Sequence, residues 1–519
     1  MNKNKNNMNI PRFFCENQSE KIKNPLLVIR DISKSYRAKE LFSGVDLTVN
    51  SNDRIAVVGA NGIGKSALLK IIIGIEEADQ GNIIKNKNLK IGYLPQETLW
   101  KSLQNTLLEE IYSVNMERLK LNSSYREGLV KNLLESFSFP EQFWQRRIKA
   151  LSGGERTKLA LAKILVSKPN LLILDEPTNH LDLSTIEWLE QFLLNWKKTM
   201  ICVSHDRLFL DKMCDKTFEL TKQGLQKYYC YYSEYVKEKQ KRVEIQEKDY
   251  KNQQKYLKKQ QEFIGRFRYK AATAGQVQSR IKQLKKIERL EKPKTDSNIK
   301  IAFDNIEKVC TKVLEINDLI IGGKQSPLFK IEGRIEANWG DKIGIIGNNG
   351  VGKSTLLKTI VNKRQLFTRK VKIGQGVRIG YYAQAHEELD PQKSILEEVA
   401  SKTISNEEKI RNILGCLLLT QDETLKKIHQ LSGGERAKVA LVELVLQKSN
   451  FLILDEPTNH LDLPSKEVVT KMLKEYKGTI LLVSHDRYIL NEACNKIWEI
   501  KNKNLKEYLG NYKDYLYLK

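Results

Sequence analysis

This chain is one unit written twice. LSGGER at 151–156 returns at 431–436, LLILDEPTNHLDL at 171–183 returns as FLILDEPTNHLDL at 451–463, and VSHDR at 203–207 returns at 483–487. Over that span the register is constant at 280 residues, and even Cys214 and Cys494 correspond. Upstream, GANGIGKS at 59–66 returns as GNNGVGKS at 347–354. So long a period excludes a solenoid of short repeats and requires two tandem copies of a whole domain. Within each copy, apolar runs such as RIAVVG, KIGIIG and LLILDE alternate with helical stretches, which predicts an α/β fold with buried parallel strands.

Each copy carries a Gly-x-x-x-x-Gly-Lys-Ser stretch after an apolar strand. Gly59, Ala60, Asn61, Gly62, Ile63, Gly64, Lys65 and Ser66, and in the second copy Gly347, Asn348, Asn349, Gly350, Val351, Gly352, Lys353 and Ser354, would converge backbone amides on phosphate oxygens at a helix N-terminus. Lys65 and Lys353 would reach the β- and γ-phosphates, and Ser66 and Ser354 would hold Mg2+. Thr355 follows in the second copy where the first has Ala67, one hydroxyl fewer. Asp175–Glu176 and Asp455–Glu456 end a later strand, the aspartates placed to support Mg2+ and the glutamates to polarise the attacking water. An isolated pair of acids there is more often a solvated strand end; the position of each pair downstream of a phosphate loop reverses that balance.

His205 and His485 close a further strand, where a γ-phosphate sensor could sit, although a lone histidine is more often structural. Gln96 and Gln384 end GY segments and read as contacts to Mg2+ and water. Ser152, Gly153, Gly154 and Glu155, like Ser432, Gly433, Gly434 and Glu435, open a long helix and offer a second anion-binding terminus in each copy. Two anion sites per copy are explained most simply if the copies face each other, so that the LSGGE of one completes the ATP site of the other.

With these motifs in both halves, the chain resembles the ATP-binding cassette (ABC) superfamily. The TNHLD wording, the tandem layout, the lack of any apolar run near the ~20 residues of a membrane span and the basic connector make it similar to the ABC-F subfamily. The resemblance implies a head-to-tail ATP sandwich with ATP and Mg2+ as ligands. Site one would use Gly59–Ser66, Gln96, Asp175, Glu176 and His205, with Ser432, Gly433 and Gly434 from the other half; site two would use Gly347–Ser354, Gln384, Asp455, Glu456 and His485, with Ser152, Gly153 and Gly154. Asp182 and Asp462 would lie at the seam. Tyr36 matches the family's adenine-stacking aromatic, while the aligned second-copy position is Gly323, which leaves that contact open in site two. Glu155 and Glu435 stand where the superfamily commonly has glutamine, a form frequent in ABC-F proteins.

Charge singles out the segment between the copies. The chain has a formal net charge of +25, and residues 237–292 hold 18 Lys/Arg against 7 Asp/Glu, a net +11. Val236, Val243, Tyr250, Leu257 and Ile264 recur every seven residues, a narrow stripe fit for one partner helix. A second helical pattern, Val277, Ile281, Leu284, Ile287 and Leu290, ends at Pro293. The expected arrangement is an antiparallel two-helix hairpin with its bend near 270–275. The whole is then a tail (1–25), a first cassette (26–232), the basic hairpin (233–300) and a second cassette (301–519). Near the bend, Arg266, Arg268, Lys270, Gln278, Arg280 and Lys282 interleave with Phe263, Phe267 and Tyr269, a combination suited to RNA. Thr273 and Gly275 stand where the ABC-F connector usually has lysines.

Seven scattered cysteines without a CxxC pair point away from zinc and toward a reducing cytoplasm. Three functional readings compete. The first is a soluble ATPase acting on the ribosome, its linker near tRNA and large-subunit rRNA, either tuning translation or protecting against large-subunit antibiotics. The second is the ATP-hydrolysing subunit of a membrane transporter, which leaves the basic hairpin unexplained. The third is a chromosome or DNA-repair ATPase, which fits the charge but not the absence of zinc ligands.

Overall fold

The computed structural model describes residues 25–36, 39–96, 102–114, 123–179, 181–267, 274–287, 307–323, 326–362, 370–383, 389–403, 406–417, 423–459 and 461–519, with positions 100, 289 and 419 between them. Gln384, Arg268, Lys270, Tyr269 and Thr273, and the tail up to residue 24, lie outside the described residues.

The first copy runs β1 Leu27–Tyr36, β2 Lys39–Val49, β3 Arg54–Val58, α1 Lys65–Ile73, β4 Gln80–Lys85, β5 Ile91–Leu94, α2 Leu107–Tyr112, α3 Ser123–Ser136, α4 Gly153–Val166, β6 Leu171–Asp175, α5 Leu183–Asn195, β7 Thr199–Val203, α6 Arg207–Met213, β8 Lys216–Thr221 and β9 Gly224–Tyr228. Helices α7 Tyr232–Phe267 and α8 Ala274–Lys286 follow. The second copy runs β10 Lys312–Asn317, β11 Ile320–Gly323, β12 Ser326–Lys330, β13 Arg334–Asn338, β14 Lys342–Gly347, α9 Lys353–Asn362, β15 Val371–Ile373, β16 Ile379–Tyr382, α10 Ile395–Lys402, α11 Glu407–Cys416, α12 Gly433–Leu446, β17 Phe451–Asp455, α13 Leu463–Glu475, β18 Thr479–Val483, α14 Arg487–Ala493, β19 Lys496–Lys501, β20 Asn504–Leu509 and α15 Tyr512–Leu518.

Each copy is an α/β cassette, as its alternating pattern requires. In the first, a sheet ordered β5-β6-β7-β3-β8-β9 is parallel up to the antiparallel β9, and β2-β1-β4 form a separate antiparallel sheet. In the second, the order is β11-β12-β20-β19-β14-β18-β17-β16, with β13-β10-β15 beside it. Strands β6, β7, β17 and β18 are buried at every position, which is why they read as unbroken apolar runs. Their register places Asp175 beside Val203 and Asp455 beside Val483, so the acids and the SHDR loops emerge side by side.

The cassettes share core as well as seam. Leu183, at the start of α5, is buried in a hydrophobic cluster otherwise built from second-cassette residues. Helices α6 and α14 pack against each other across the seam.

Residues Ser233–Lys300 form a compact unit of their own. The 36 residues of α7 correspond to about 54 Å of helix. Val236, Val243, Tyr250, Leu257 and Ile264 are each half-buried among mostly exposed neighbours, as the seven-residue stripe predicted. Arg280 donates to Gln260 Oε1 at 2.9 Å and stacks its guanidinium 3.7 Å from the Phe263 ring centre, bringing α8 back along α7. Among the described residues, no helix is long and apolar enough to cross a membrane.

Candidate active site

The first phosphate loop enters its helix through a position that glycine fills best. Gly64 caps α1 at φ 101°, and a Cβ there would sit 2.8 Å from the Phe42 ring. Lys65 donates to the carbonyls of Gly59 (2.8 Å) and Ala60 (3.1 Å), and Lys353 repeats this with Gly347 (2.7 Å) and Asn348 (3.1 Å). Both ammonium groups are buried, and burial holds their pKa below the usual lysine value. Ser66 Oγ donates to Asp175 Oδ1 at 3.2 Å. Burial raises both Asp175 and Asp455, opposed by hydrogen bonds from Ser66 and Ser354 respectively. Gln96 is exposed just beyond β5.

Glu176 and Glu456 each sit at φ 51°, a left-handed conformation costly for a residue with a Cβ. The backbone is held there because each glutamate's N–H donates into the neighbouring strand, to Val203 O at 2.8 Å and Val483 O at 2.9 Å. Each carboxylate in turn accepts from the backbone N–H of the histidine in the same copy: His205 to Glu176 Oε2 at 3.1 Å, His485 to Glu456 Oε2 at 3.2 Å. The rings lie close too, with Nε2 3.3 Å from Glu176 Oε1 and 3.5 Å from Glu456 Oε1. Burial pushes the Glu176 carboxyl up to about 7, and Glu456 moves the same way for the same reason. Burial, with Lys65 nearby, holds His205 well below the ordinary histidine value; His485, buried beside Lys353, falls to about 3. Both imidazoles are therefore neutral at physiological pH, while Glu176 is poised to exchange a proton there.

The second-site groups and His205 face a cavity of about 410 Å³ between the cassettes; Lys65, Ser66, Asp175 and Glu176 do not line it. Lys353, Ser354, Asp455, Glu456 and His485 line it from the second copy, and Thr178, Asn179, Ile186 and His205 from the first. At its edge Asp182 Oδ2 accepts from the backbone N–H of Asn349 at 3.0 Å, and Ser184 Oγ lies 3.2 Å from Asn348 Oδ1. Around it the seam is tied by Arg207 to Glu467 and the Leu463 carbonyl, and by Arg487 to Glu190 (2.6 Å) and Asp206 (3.2 Å).

A family model described as ABC transporter matches residues 42–179 and 333–459, and a second with the same description matches 218–303. The putative ATP-binding protein YdiF of Bacillus subtilis is 38% identical over 94% of this chain and 82% of its own length. ABC transporter F family member 5 of Arabidopsis thaliana is 34% identical over 94% of this chain and 77% of its own. This chain belongs to the ABC-F family. It is an ATP-binding, ATP-hydrolysing protein with two cassettes. Its fold is also that of the archaeal ribosome recycling factor aABCE1, solved in complex with ribosomal stalk protein aP1 (TM-score 0.62, 18% identity, 94% and 92% of the two chains).

The residues of this ABC-F protein suit ATP with Mg2+. Each phosphate loop pairs a buried lysine with a serine beside a buried aspartate, and Asp455 Oδ1 is buried with no protein partner, as an oxygen facing a cation would be. The signature residues stand elsewhere: none of Ser152–Glu155 or Ser432–Glu435 lines the cavity. Glu155 and Glu435 instead close capping boxes on α4 and α12, accepting from the N–H of Ser152 (2.8 Å) and Ser432 (2.7 Å). Gly154 is packed so closely on α5 that a Cβ would lie 2.6 Å from Thr185 Oγ1. The half-exposed Tyr36 donates its hydroxyl to Glu76, and Gly323 ends β11 with no ring to offer. The SHDR arginines and Lys466 were missed as seam residues; a break in the internal repeat, Ile186 against Lys466, was the available signal for the lysine.

Proposed function

We propose that this ABC-F ATPase acts in the cytoplasm on the ribosome, using ATP bound between its cassettes to place the basic linker near tRNA and large-subunit rRNA. The observation that carries the reading is the linker itself: a net +11 over residues 237–292, joining two hydrolytic cassettes. Arg266, Gln278 and Lys282 are exposed and available to a polyanion, whereas Arg280 is engaged with Gln260 and Phe263. The shared fold with a protein named as a ribosome recycling factor supports the same direction. The transporter-subunit reading leaves this linker unexplained.

Ser66 with Asp175 and Gln96, and Ser354 with Asp455 and Gln384, would hold Mg2+, which when bound neutralises charge on the β- and γ-phosphates. Lys65 and Lys353 would move from their loop carbonyls to phosphate oxygens. Glu176 and Glu456 would accept the proton of the attacking water, each held in place by its histidine. Closure would carry Ser152–Gly154 and Ser432–Gly434 onto the opposite phosphate loops, completing both sites, and hydrolysis would reopen them.

Replacing both glutamates (E176Q with E456Q) should leave ATP bound and the cassettes closed. With ATP the double variant is expected to co-sediment with ribosomes and the wild type to cycle off. A double variant that binds ATP yet sediments free of ribosomes overturns the reading.

A further inference from the structure

The two halves of the seam are not chemically equal. After the paired LDL triplets the chain reads STIE at 184–187 and PSKE at 464–467, so Ile186 in the first cassette stands where the second has Lys466. Both residues line the cavity. Lys466 reaches across from α13 and donates its Nζ to the His205 backbone carbonyl at 3.0 Å, with Asp486 Oδ2 3.5 Å away on its own cassette. Its side chain is 16% exposed, so the ammonium is held by these contacts more than by water. The His205 whose carbonyl it grips presents its backbone N–H to Glu176 Oε2 and its ring to Oε1. The result is a continuous line from the second cassette to the first site's carboxylate: Lys466, His205, Glu176. The ammonium charge also acts directly on Glu176 and His205. In the reciprocal place Ile186 has no donor to offer the His485 carbonyl, and the second site is bound across the seam at its phosphate loop instead, through Asp182 and Ser184.

We propose that Lys466 is a positioning residue for ATP hydrolysis at the first site, fixing the His205–Glu176 pair from the opposite cassette, and that the second site works without such a device. The two sites therefore hydrolyse unequally. The first depends on where α13 sits, so its chemistry is gated by the seam; the second, facing Ile186, is not gated in this way. The inference rests on Glu176 and His205 serving the first site.

Site-isolated forms of the full chain test it. In E456Q only the first site hydrolyses, and in E176Q only the second. K466M in the E456Q background should slow single-turnover hydrolysis by about tenfold or more, the scale set by misplacing a catalytic group, while the KM for ATP moves far less. K466R, which keeps a donor, should restore most of the rate. K466M in the E176Q background should slow second-site turnover far less, because Lys466 lines that cavity but gives its hydrogen bond to His205. Equal slowing in both backgrounds, a change confined to KM, or failure of K466R to rescue while the melting temperature is unchanged would each overturn the proposal. The underlying site assignment fails separately, if E176Q combined with E456Q still hydrolyses ATP.

Discussion

Asp182 holds two cassettes with its two carboxylate oxygens: Oδ1 accepts the Thr185 N–H at 3.0 Å and so caps α5, and Oδ2 accepts the Asn349 N–H of the opposite phosphate loop at 3.0 Å. The pair couples helix stability to seam geometry, and substitution can separate them. In D182N the side-chain oxygen stays with the cap, where Thr185 N–H and the Ser184 hydroxyl both require an acceptor. The amide NH2 then meets the Asn349 N–H, donor against donor. D182N should keep a near-native melting temperature and lose ATPase activity; D182A should lose activity and about 1 kcal/mol of stability with the cap. Thermal melts read beside steady-state ATPase assays check both.

Burial of Glu176 gives nucleotide-free protein a pH-dependent weakness. Its pKa rises from 4.5 in the unfolded chain to about 7 in the fold. Between those values the native state binds more protons than the unfolded state, so stability is full below pH 4.5 and is lost as pH rises through 7. The loss is about 3 kcal/mol. E176Q carries no titrating group there, so its melting temperature should overtake the wild-type value progressively from pH 5 to pH 8. Parallel melts across that range check it, and parallel curves for the two proteins would remove Glu176 as the cause.

Arg487 is buried with two cross-seam acceptors, Glu190 at 2.6 Å and Asp206 at 3.2 Å. Glu190 keeps Lys212 at 2.7 Å on its other oxygen, but that lysine is itself half in solvent. R487M leaves a buried carboxylate short of a partner and should cost about 3 kcal/mol. R487M combined with E190Q removes the stranded charge and should recover part of it. Chemical denaturation of the two single variants and the double variant measures the coupling directly.

What the sequence conveyed, and what it did not, follows the physics of each feature. Strands β6, β7, β17 and β18 are readable because both faces are buried and polar residues stand only at their ends. The phosphate loops were readable because glycine and lysine are needed there by type. The left-handed backbone of Glu176 and Glu456 was not, since residue type does not report a strain imposed by neighbouring strands. Leu183 reads as an ordinary helix start, yet its burial lies in the other cassette's core, which no local pattern encodes. Glu155 and Glu435 read as part of an anion-binding helix terminus, although Ser-Gly-Gly-Glu is also the Ser-x-x-Glu spacing of a capping box. The same spacing serves helix and anion, so sequence alone leaves the choice open.

The linker separates internal packing from polyanion contact at neighbouring cations. Arg280 spends its guanidinium on Gln260 and the Phe263 ring, so R280A should loosen the pairing of α7 with α8 by about 1 kcal/mol. Hydrogen exchange of α8 amides would then quicken. Arg266 and Lys282 are exposed, and R266A with K282A should leave that exchange unchanged. If they meet phosphates, each substitution lowers RNA affinity and flattens the dependence of log K on log salt by about one unit. Binding to ribosomal RNA measured over a range of KCl concentrations checks this. A full salt slope in the double variant would place the phosphate contacts elsewhere on the chain.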